Sequence, residues 1–290
     1  MGSNRPITVG RIDYANVWPI FEHFDEVRAE RDLTGVDIVV GMPSVLNGAL
    51  TEGNVDIASV SSFAYGRRAE QFVLLPDLSV SADGEVRSIL LFLKNPLDDV
   101  LKGTVAVTST SATSVNLLKI ILQGRFGAEP RYITMEPDLD AMLEEADAAL
   151  LIGDHAIQGS WRTDHGCEVL DVGRLWKDWT GLTMTFAVIA VRKETALRAP
   201  KTVSDIYKAL LESKRRGLRD IGRLASKAVR RLGGQSGYWE AYFNGLRYGF
   251  GPDEREGLML YFRYAARLGL LGRAGGLQFW PDQSVAQVNE

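Results

Sequence analysis

Short apolar runs alternate with stretches that can form amphipathic helices over the first two thirds of the chain. Runs rich in Val, Ile and Leu predict strands at 7–12, 36–40, 55–60, 86–93, 104–108, 131–135, 148–152, 168–172 and 184–191. Helical periodicity between them predicts helices at 45–51, 62–68, 112–123 and 139–145. Continuous apolar strands separated by helices are typical of a parallel-rich sheet covered on both faces. The sequence therefore predicts an α/β protein.

The pattern changes after residue 192, where helical periodicity predominates. It predicts consecutive helices at 203–214, 219–232, 238–248 and 253–268. Two divisions fit this order: an α/β half followed by a helical half, or a second lobe inserted into the first. We favour insertion, with lobe 1 formed by 1–94 and 190–290 and lobe 2 by 95–189. A cleft between two lobes is then the expected ligand site.

Composition narrows the classes of protein. The chain has 290 residues, of which 46% are hydrophobic and 24% charged, and its net charge is -4. This composition is that of an ordinary globular protein. The nearly balanced, slightly negative charge argues against a basic nucleic-acid binder. Basic residues cluster over 214–231, which we interpret as a solvated helical face. The sequence contains no apolar run of membrane-spanning length and no recognisable secretion signal, so we expect a cytoplasmic protein without a membrane partner.

The sequence lacks the motifs that are typical of metal sites and nucleotide sites. Three histidines, His23, His155 and His165, and one cysteine, Cys167, stand at no zinc-site spacing. The sequence also contains no Walker loop, no GxSxG motif and no GxGxxG after a strand. We therefore expect no metal, no nucleotide cofactor and no serine nucleophile.

A turn rich in hydroxyl groups separates the strand at 104–108 from the helix that follows it. Ser111, Thr113 and Ser114 lie in this turn. A single hydroxyl is enough to cap a helix, whereas several hydroxyls with free backbone N–H groups suit an anion. We favour anion binding over capping alone for these three residues.

A second hydroxyl-rich turn follows the strand at 55–60. It contains Ser61 and Ser62. Ligands of open α/β sheets bind beyond the carboxyl ends of strands, so this turn is a second candidate anchor. A plain helix cap explains it equally well.

Four further polar residues lie at predicted strand ends. Asn16 follows the first strand, and its amide can both donate and accept a hydrogen bond. Arg87 and Ser88 lie near the expected crossing between lobes, and the arginine suits either a carboxylate ligand or a surface acid. Asp154 ends another strand as a candidate base, orienting group or helix cap.

An ordered set of short motifs resembles one known family. The segments are 14–19, 43–47, 74–78, 84–88, 111–114, 151–154, 178–181, 242–243 and 248–250. Together they resemble the chorismate dehydratases that open the futalosine route to menaquinone, over nearly the whole chain. The resemblance implies a two-lobed fold similar to the type II periplasmic binding proteins, without metal or organic cofactor. It also implies roles in the reaction for the matching Asn16 and Ser88.

The chemistry of such a substrate gives each candidate residue a hypothetical role. Chorismate is a dianion, and losing water makes its ring aromatic, giving 3-[(1-carboxyvinyl)oxy]benzoate. Ser111, Thr113 and Ser114 would hold one carboxylate, and Ser61, Ser62 or Arg87 the other. Asn16 and Ser88 would position the ether and the departing hydroxyl. The proton acceptor is either the substrate's own carboxylate or Asp154.

Two rival functions remain open at the level of sequence. A solute-binding or sensor domain of the same fold would bind a small molecule without converting it. A related cyclase acting on dehypoxanthine futalosine belongs to the same pathway. The signal peptide or DNA-binding segment expected of the first is not seen. The second usually carries an amino-terminal Ser/Pro/Asn-type motif, which is absent from residues 9–21.

Overall fold

The computed structural model describes residues 5–273 and 275–281. Within this part of the chain the strands form two mixed sheets. The strands are β1 (Ile7–Ile12), β2 (Val36–Gly41), β3 (Ile57–Ser61), β4 (Phe72–Ala82), β5 (Ile89–Leu93), β6 (Thr104–Thr108), β7 (Arg131–Met135), β8 (Ala148–Ile152), β9 (Glu168–Asp171), β10 (Met184–Arg192) and β11 (Leu246–Arg247). The first sheet has the order β11-β4-β10-β3-β1-β2, and the second has the order β7-β6-β8-β5-β9.

Helices cover both sheets, which confirms the α/β class. They are α1 (Trp18–Phe21), α2 (Phe24–Glu30), α3 (Pro43–Glu52), α4 (Ser62–Arg67), α5 (Leu97–Val100), α6 (Ala112–Phe126), α7 (Leu139–Glu145), α8 (Gly153–Trp161), α9 (Val172–Thr180), α10 (Lys193–Arg198), α11 (Pro200–Arg219), α12 (Ile221–Leu232), α13 (Ser236–Gly245) and α14 (Pro252–Arg267). Short 3-10 turns occupy Ala15–Val17 and Ala69–Gln71. Between β10 and Arg267 the chain is mostly helical, as the periodicity predicts.

The second sheet is an insertion in the first. It contains β5 to β9, whereas β1 to β4, β10 and β11 form the first sheet. The chain therefore crosses between lobes at 83–88 and again at 181–183. The expected boundaries at 94 and 190 differ from this, because they assign β5 to lobe 1 and most of β10 to lobe 2. Both strands are apolar and buried, so their composition suits either sheet, and only their pairing partners distinguish the lobes.

The longest strand of the structure, β4, is not predicted by the apolar pattern. Pro76 and Asp77 interrupt its apolar residues, and the backbone of Asp77 has a φ of +55°. Proline within a run argues against a central strand. The register of β4 against β10 is irregular, as a bulged strand requires.

Parallel and antiparallel pairs are mixed because the chain leaves lobe 1 along β4 and returns along β10. Strand β10 runs antiparallel to both β3 and β4, whereas β1 pairs in parallel with β2 and β3. In the second sheet β6 is parallel to β7 and β8, while β5 is antiparallel to β8 and β9. The carboxyl ends of β1, β3, β6 and β8 consequently face the gap between the lobes.

The first crossing segment is fixed by one partly buried carboxylate. Asp171, at the end of β9, accepts hydrogen bonds from the backbone N–H groups of Val86 at 3.1 Å, Arg87 at 2.6 Å and Arg174 at 3.0 Å. Arg87 has a φ of +58°, a conformation that a non-glycine residue rarely adopts. These bonds hold the crossing in that conformation just before Ser88.

The basic run at 214–231 pairs with acidic residues of the same chain. Helices α11 and α12 pack against α1 and α2, where acidic residues recur at intervals of four. The ion pairs are Arg216–Glu30, Arg223–Glu26 and Lys227–Glu22.

Among the described residues, none of the helices is both long enough and apolar enough to span a membrane.

We expect Asp171→Ala to lower the free energy of unfolding by about 3 kcal/mol, because backbone donors lose a charged acceptor inside the protein. Asp178→Ala is the matched control, since Asp178 makes an exposed pair with Arg174 and its loss should cost less than about 0.5 kcal/mol. Urea unfolding measures both. Equal stability of the two variants would contradict the role given to Asp171.

Candidate active site

A cavity lies between the two lobes at the ends of the strands. Polar and apolar side chains from both lobes line it, together with Gly153. The polar residues are Tyr14, Asn16, Ser61, Ser88, Ser111 and Ser114; the apolar residues are Ile12, Pro43, Val80, Val86, Ile89, Ile152, Phe186 and Ala187. None of these described lining residues carries a charge.

Four helices begin at this cavity. Pro43 starts α3, Ser61 caps α4, Ser111 caps α6 and Gly153 starts α8. The first turn of a helix carries the positive end of the helix dipole, and its N–H groups have no partner within the helix. Here caps and neighbours already bond the N–H groups of Phe63, Ala64, Ser114 and Gly153. Four such ends meeting in one cavity favour an anionic ligand without a lysine or arginine.

The two hydroxyl-rich turns face each other across the cavity. In lobe 1 the Ser61 hydroxyl accepts a hydrogen bond from the Ala64 N–H at 3.2 Å. The Ser61 N–H itself donates to Asn47 Oδ1 at 3.1 Å. In lobe 2 the Ser111 hydroxyl accepts from the Ser114 N–H at 3.1 Å. Each serine therefore caps its helix and also lines the cavity, so the capping and anion-binding interpretations are compatible.

Asn16 and Ser88 are brought to the same cavity from lobe 1 and from the crossing segment. The Asn16 Oδ1 atom is buried and has no hydrogen-bond partner among the described residues. Ser88 is 2% exposed, and its hydroxyl donates to the Val86 carbonyl across a long 3.3 Å. A buried amide oxygen without a partner and a weakly bonded hydroxyl are suited to bind a ligand.

Three residues expected at the site contact other groups instead. The Ser62 hydroxyl donates to the Thr185 carbonyl at 2.8 Å, and the Thr113 hydroxyl accepts from the Phe63 N–H at 2.9 Å. The Arg87 side chain is 41% exposed and lies 3.4 Å from Glu85. None of the three lines the cavity. Ser62 and Thr113 lie in the first turns of α4 and α6, where the side chains of adjacent residues point about 100° apart. Adjacent hydroxyls therefore cannot both face the ligand.

Asp154 lies beside the cavity and connects the lobes. Its Oδ1 atom accepts a hydrogen bond from the Ala15 N–H at 3.2 Å, which joins α8 of lobe 2 to the turn that carries Asn16 in lobe 1. Burial raises the pKa of the Asp154 carboxyl to about 6. The carboxylate therefore holds the Asn16 turn from outside the lining, instead of facing the cavity as a base would.

Other contacts also close the lobes on each other. The Tyr261 hydroxyl of α14 donates to the Thr113 carbonyl of α6 at 3.2 Å. Gly153 has a φ of +58°, and a Cβ atom there would lie 2.8 Å from the Tyr14 ring, so only glycine permits this approach.

The cavity has a volume of about 40 Å³, room for about three water molecules. A ring-sized ligand must enter while the lobes are further apart.

Metal binding has no candidate cluster in the described part of the chain, where no three His, Cys, Asp or Glu side chains are grouped to hold an ion. A larger groove of about 580 Å³ lies near Gly66 and Leu271, but it is away from the strand ends. Tyr14, Pro43 and Gly153 also line the cavity and are not among the predicted site residues. Their sequence signal is their position one or two residues after strands β1, β2 and β8.

The fold is that of the periplasmic binding proteins. The chain matches the aliphatic sulphonate binding protein SsuA of Escherichia coli with a TM-score of 0.68 at 15% identity, covering 97% of this chain and 94% of that chain. It matches protein AF1704 of Archaeoglobus fulgidus with a TM-score of 0.76 at 19% identity, covering 93% and 100%.

Sequence similarity identifies the family within this fold. Residues 7–267 match the profile of the menaquinone biosynthesis family. The chain is 36% identical over 280 residues to the chorismate dehydratase of Thermus thermophilus, covering 92% of this chain and 96% of that protein. The chain therefore belongs to the menaquinone biosynthesis family.

The raised pKa of Asp154 predicts a stability difference that depends on pH. Because the pKa rises from 3.8 to about 6 on folding, ionising this group opposes folding, and the cost is absent below about pH 4 and complete above about pH 6. Asp154→Asn keeps the acceptor oxygen without the charge. We expect it to raise the free energy of unfolding by about 2 kcal/mol at pH 8 and by much less at pH 4.

Urea unfolding of both proteins at pH 4 and pH 8 measures this difference. Asp37→Asn, in the exposed part of β2, is the control and should change stability by less than about 0.5 kcal/mol at either pH. A pH-independent effect of Asp154→Asn would contradict the interpretation.

Proposed function

We propose that this protein is a chorismate dehydratase, a carbon–oxygen lyase that removes water from chorismate to give 3-[(1-carboxyvinyl)oxy]benzoate. The observation that supports this best is the meeting of four helix N-termini at the cavity between the lobes, which favours an anionic ligand. Membership of the menaquinone biosynthesis family and the identity to a chorismate dehydratase agree with it. The reaction belongs to the futalosine route to menaquinone.

The two carboxylates would be held on opposite sides of the cleft. Ser111 and Ser114 at the start of α6 would bind one carboxylate from lobe 2, and Ser61 at the start of α4 would bind the other from lobe 1. Ser62 and Thr113 support these turns through their bonds to Thr185 and Phe63. Because each lobe would hold one carboxylate, the substrate itself would draw the lobes together.

The main requirement of the reaction is that the negative charge formed on the substrate be stabilised. The ring hydrogen beside the enol ether is vinylogous to the ring carboxylate, so its removal spreads negative charge into that carboxylate. Helix N-terminal donors at the carboxylate stabilise this dienolate before the ring hydroxyl leaves. The hydroxyl departs with the abstracted proton as water, and the ring becomes aromatic. Asn16 and Ser88 would position the ether and the departing hydroxyl.

The substrate's second carboxylate is the proton acceptor that this geometry favours. Asp154 is the alternative within the protein, but its Oδ1 atom is already bonded to the Ala15 N–H and Asp154 does not line the cavity. Its role would be to hold the turn that carries Asn16. Asp154→Asn preserves the acceptor oxygen, so a positioning role predicts that this variant keeps most of its activity.

A solute-binding role is the second candidate, because the fold is shared with a sulphonate binding protein. Incubating the purified protein with chorismate separates the two. We expect the ultraviolet spectrum of the diene to be replaced by that of a substituted benzoate, with one product formed per chorismate consumed. Recovery of unchanged chorismate after binding would reject the lyase and favour the solute-binding role.

Asn16→Ala and Ser88→Ala should each lower kcat by about 100-fold or more while the protein stays folded, because each removes a polar contact to the reacting atoms. The matched controls are Asn54→Ala and Ser109→Ala, which change exposed residues whose side chains donate to Glu52 and Glu136, respectively. The controls should retain the kcat of the unmodified protein. Full activity of Asn16→Ala would reject its assignment.

A further inference from the structure

Tyr242 of α13 places a phenol hydroxyl behind Ser88. The residue is 1% exposed, and its hydroxyl has no hydrogen-bond partner among the described residues. The Ser88 hydroxyl is nevertheless close enough to lower the pKa of Tyr242 against the larger effect of burial, which raises it. Buried polar groups are almost always bonded, so a free hydroxyl beside a cavity residue requires an explanation.

The position of this hydroxyl is fixed by aromatic packing. The Tyr242 ring stacks on Tyr238 at 6.5 Å between centroids and packs edge-on against Trp239 at 5.7 Å. Phe243 lies 5.5 Å away on another side. These contacts fix the ring, and β11, which directly follows α13, pairs with Ala82 next to the crossing that carries Ser88.

Ser88 has one proton to donate and two lone pairs to offer. In the closed cavity its proton points to the Val86 carbonyl across a long 3.3 Å. A ligand oxygen can displace this weak bond. The serine oxygen is then free to accept a hydrogen bond from Tyr242 while its own proton faces the ligand. Hydrogen bonds in such a chain strengthen each other.

We propose that Tyr242 is a positioning residue, which donates a hydrogen bond to the Ser88 hydroxyl and thereby directs the serine proton at the departing hydroxyl of the substrate. This inference rests on the proposed dehydratase function. Burial raises the pKa of the Tyr242 phenol, so the group stays protonated and remains a donor. It acts through Ser88, and it does not itself line the cavity.

Tyr248 provides a matched control. Its hydroxyl is also buried and without a partner among the described residues, and the side chain is 3% exposed. Burial and the nearby Tyr242, rather than Ser88, account for the raised pKa of Tyr248. Removing either hydroxyl therefore relieves a comparable unsatisfied group, whereas only Tyr242 acts on Ser88.

The test compares Tyr242→Phe with Tyr248→Phe in the chorismate assay. We expect Tyr242→Phe to lower kcat about tenfold, the value of one hydrogen bond, with KM changed less than about threefold. Its melting temperature should not fall, because the change removes an unpaired buried hydroxyl. Tyr248→Phe should keep kcat within about twofold. Unchanged kcat in Tyr242→Phe, or an equal loss in Tyr248→Phe, overturns the inference.

A double variant separates positioning from packing. In Ser88→Ala, whose residual product is quantified after long incubation, adding Tyr242→Phe should reduce kcat no further, because Tyr242 acts through the serine. A further tenfold loss would mean that Tyr242 acts independently and would overturn the inference. An unmodified protein that does not convert chorismate overturns the proposed function itself, and it is distinguished from these outcomes because every variant is compared with an active parent.

Discussion

The convergence of four helix N-termini on one cavity is the constraint on which the site depends. Helices α3, α4, α6 and α8 begin there, two from each lobe, and no described lining residue is charged. Backbone N–H groups held by a rigid helix need no reorientation when an anion binds. An arginine or lysine would add charge on a flexible stem. The cavity thus favours an anion through fixed backbone dipoles.

Insertion of the second sheet into the first makes this convergence possible. Each sheet turns the carboxyl ends of its parallel strands toward the gap, so the helices that follow those strands start at the gap. The crossing at 83–88 is fixed by Asp171, and the lobes are joined by hydrogen bonds that the Ala15 N–H donates to Asp154 and the Phe63 N–H donates to the Thr113 hydroxyl. These bonds position Asn16, Ser61 and Ser88 while remaining outside the cavity.

Most of the fold could be predicted from the sequence, but the sheet partition could not. Apolar runs located every strand except β4 and the two-residue β11, because Pro76 and Asp77 break the pattern of β4. Boundaries misplaced β5 and β10 because buried strands have the same composition in either sheet. Within the site, the two serine turns and Asn16 were found from their position after strands. Arg87 was expected at the site as well, but its side chain is 41% exposed and pairs with Glu85.

The sequence by itself determined the class of fold, the succession of strands and helices, and the two turns that supply hydroxyls. It also located Asn16 and Ser88, because strand ends and local motifs are properties of neighbouring residues. Only the tertiary structure decided which hydroxyl in each turn faces the cavity, that Asp154 joins the lobes, and that Tyr242 lies behind Ser88. Those relations connect residues 139 and 154 positions apart in the sequence, and such contacts depend on packing that no local pattern encodes.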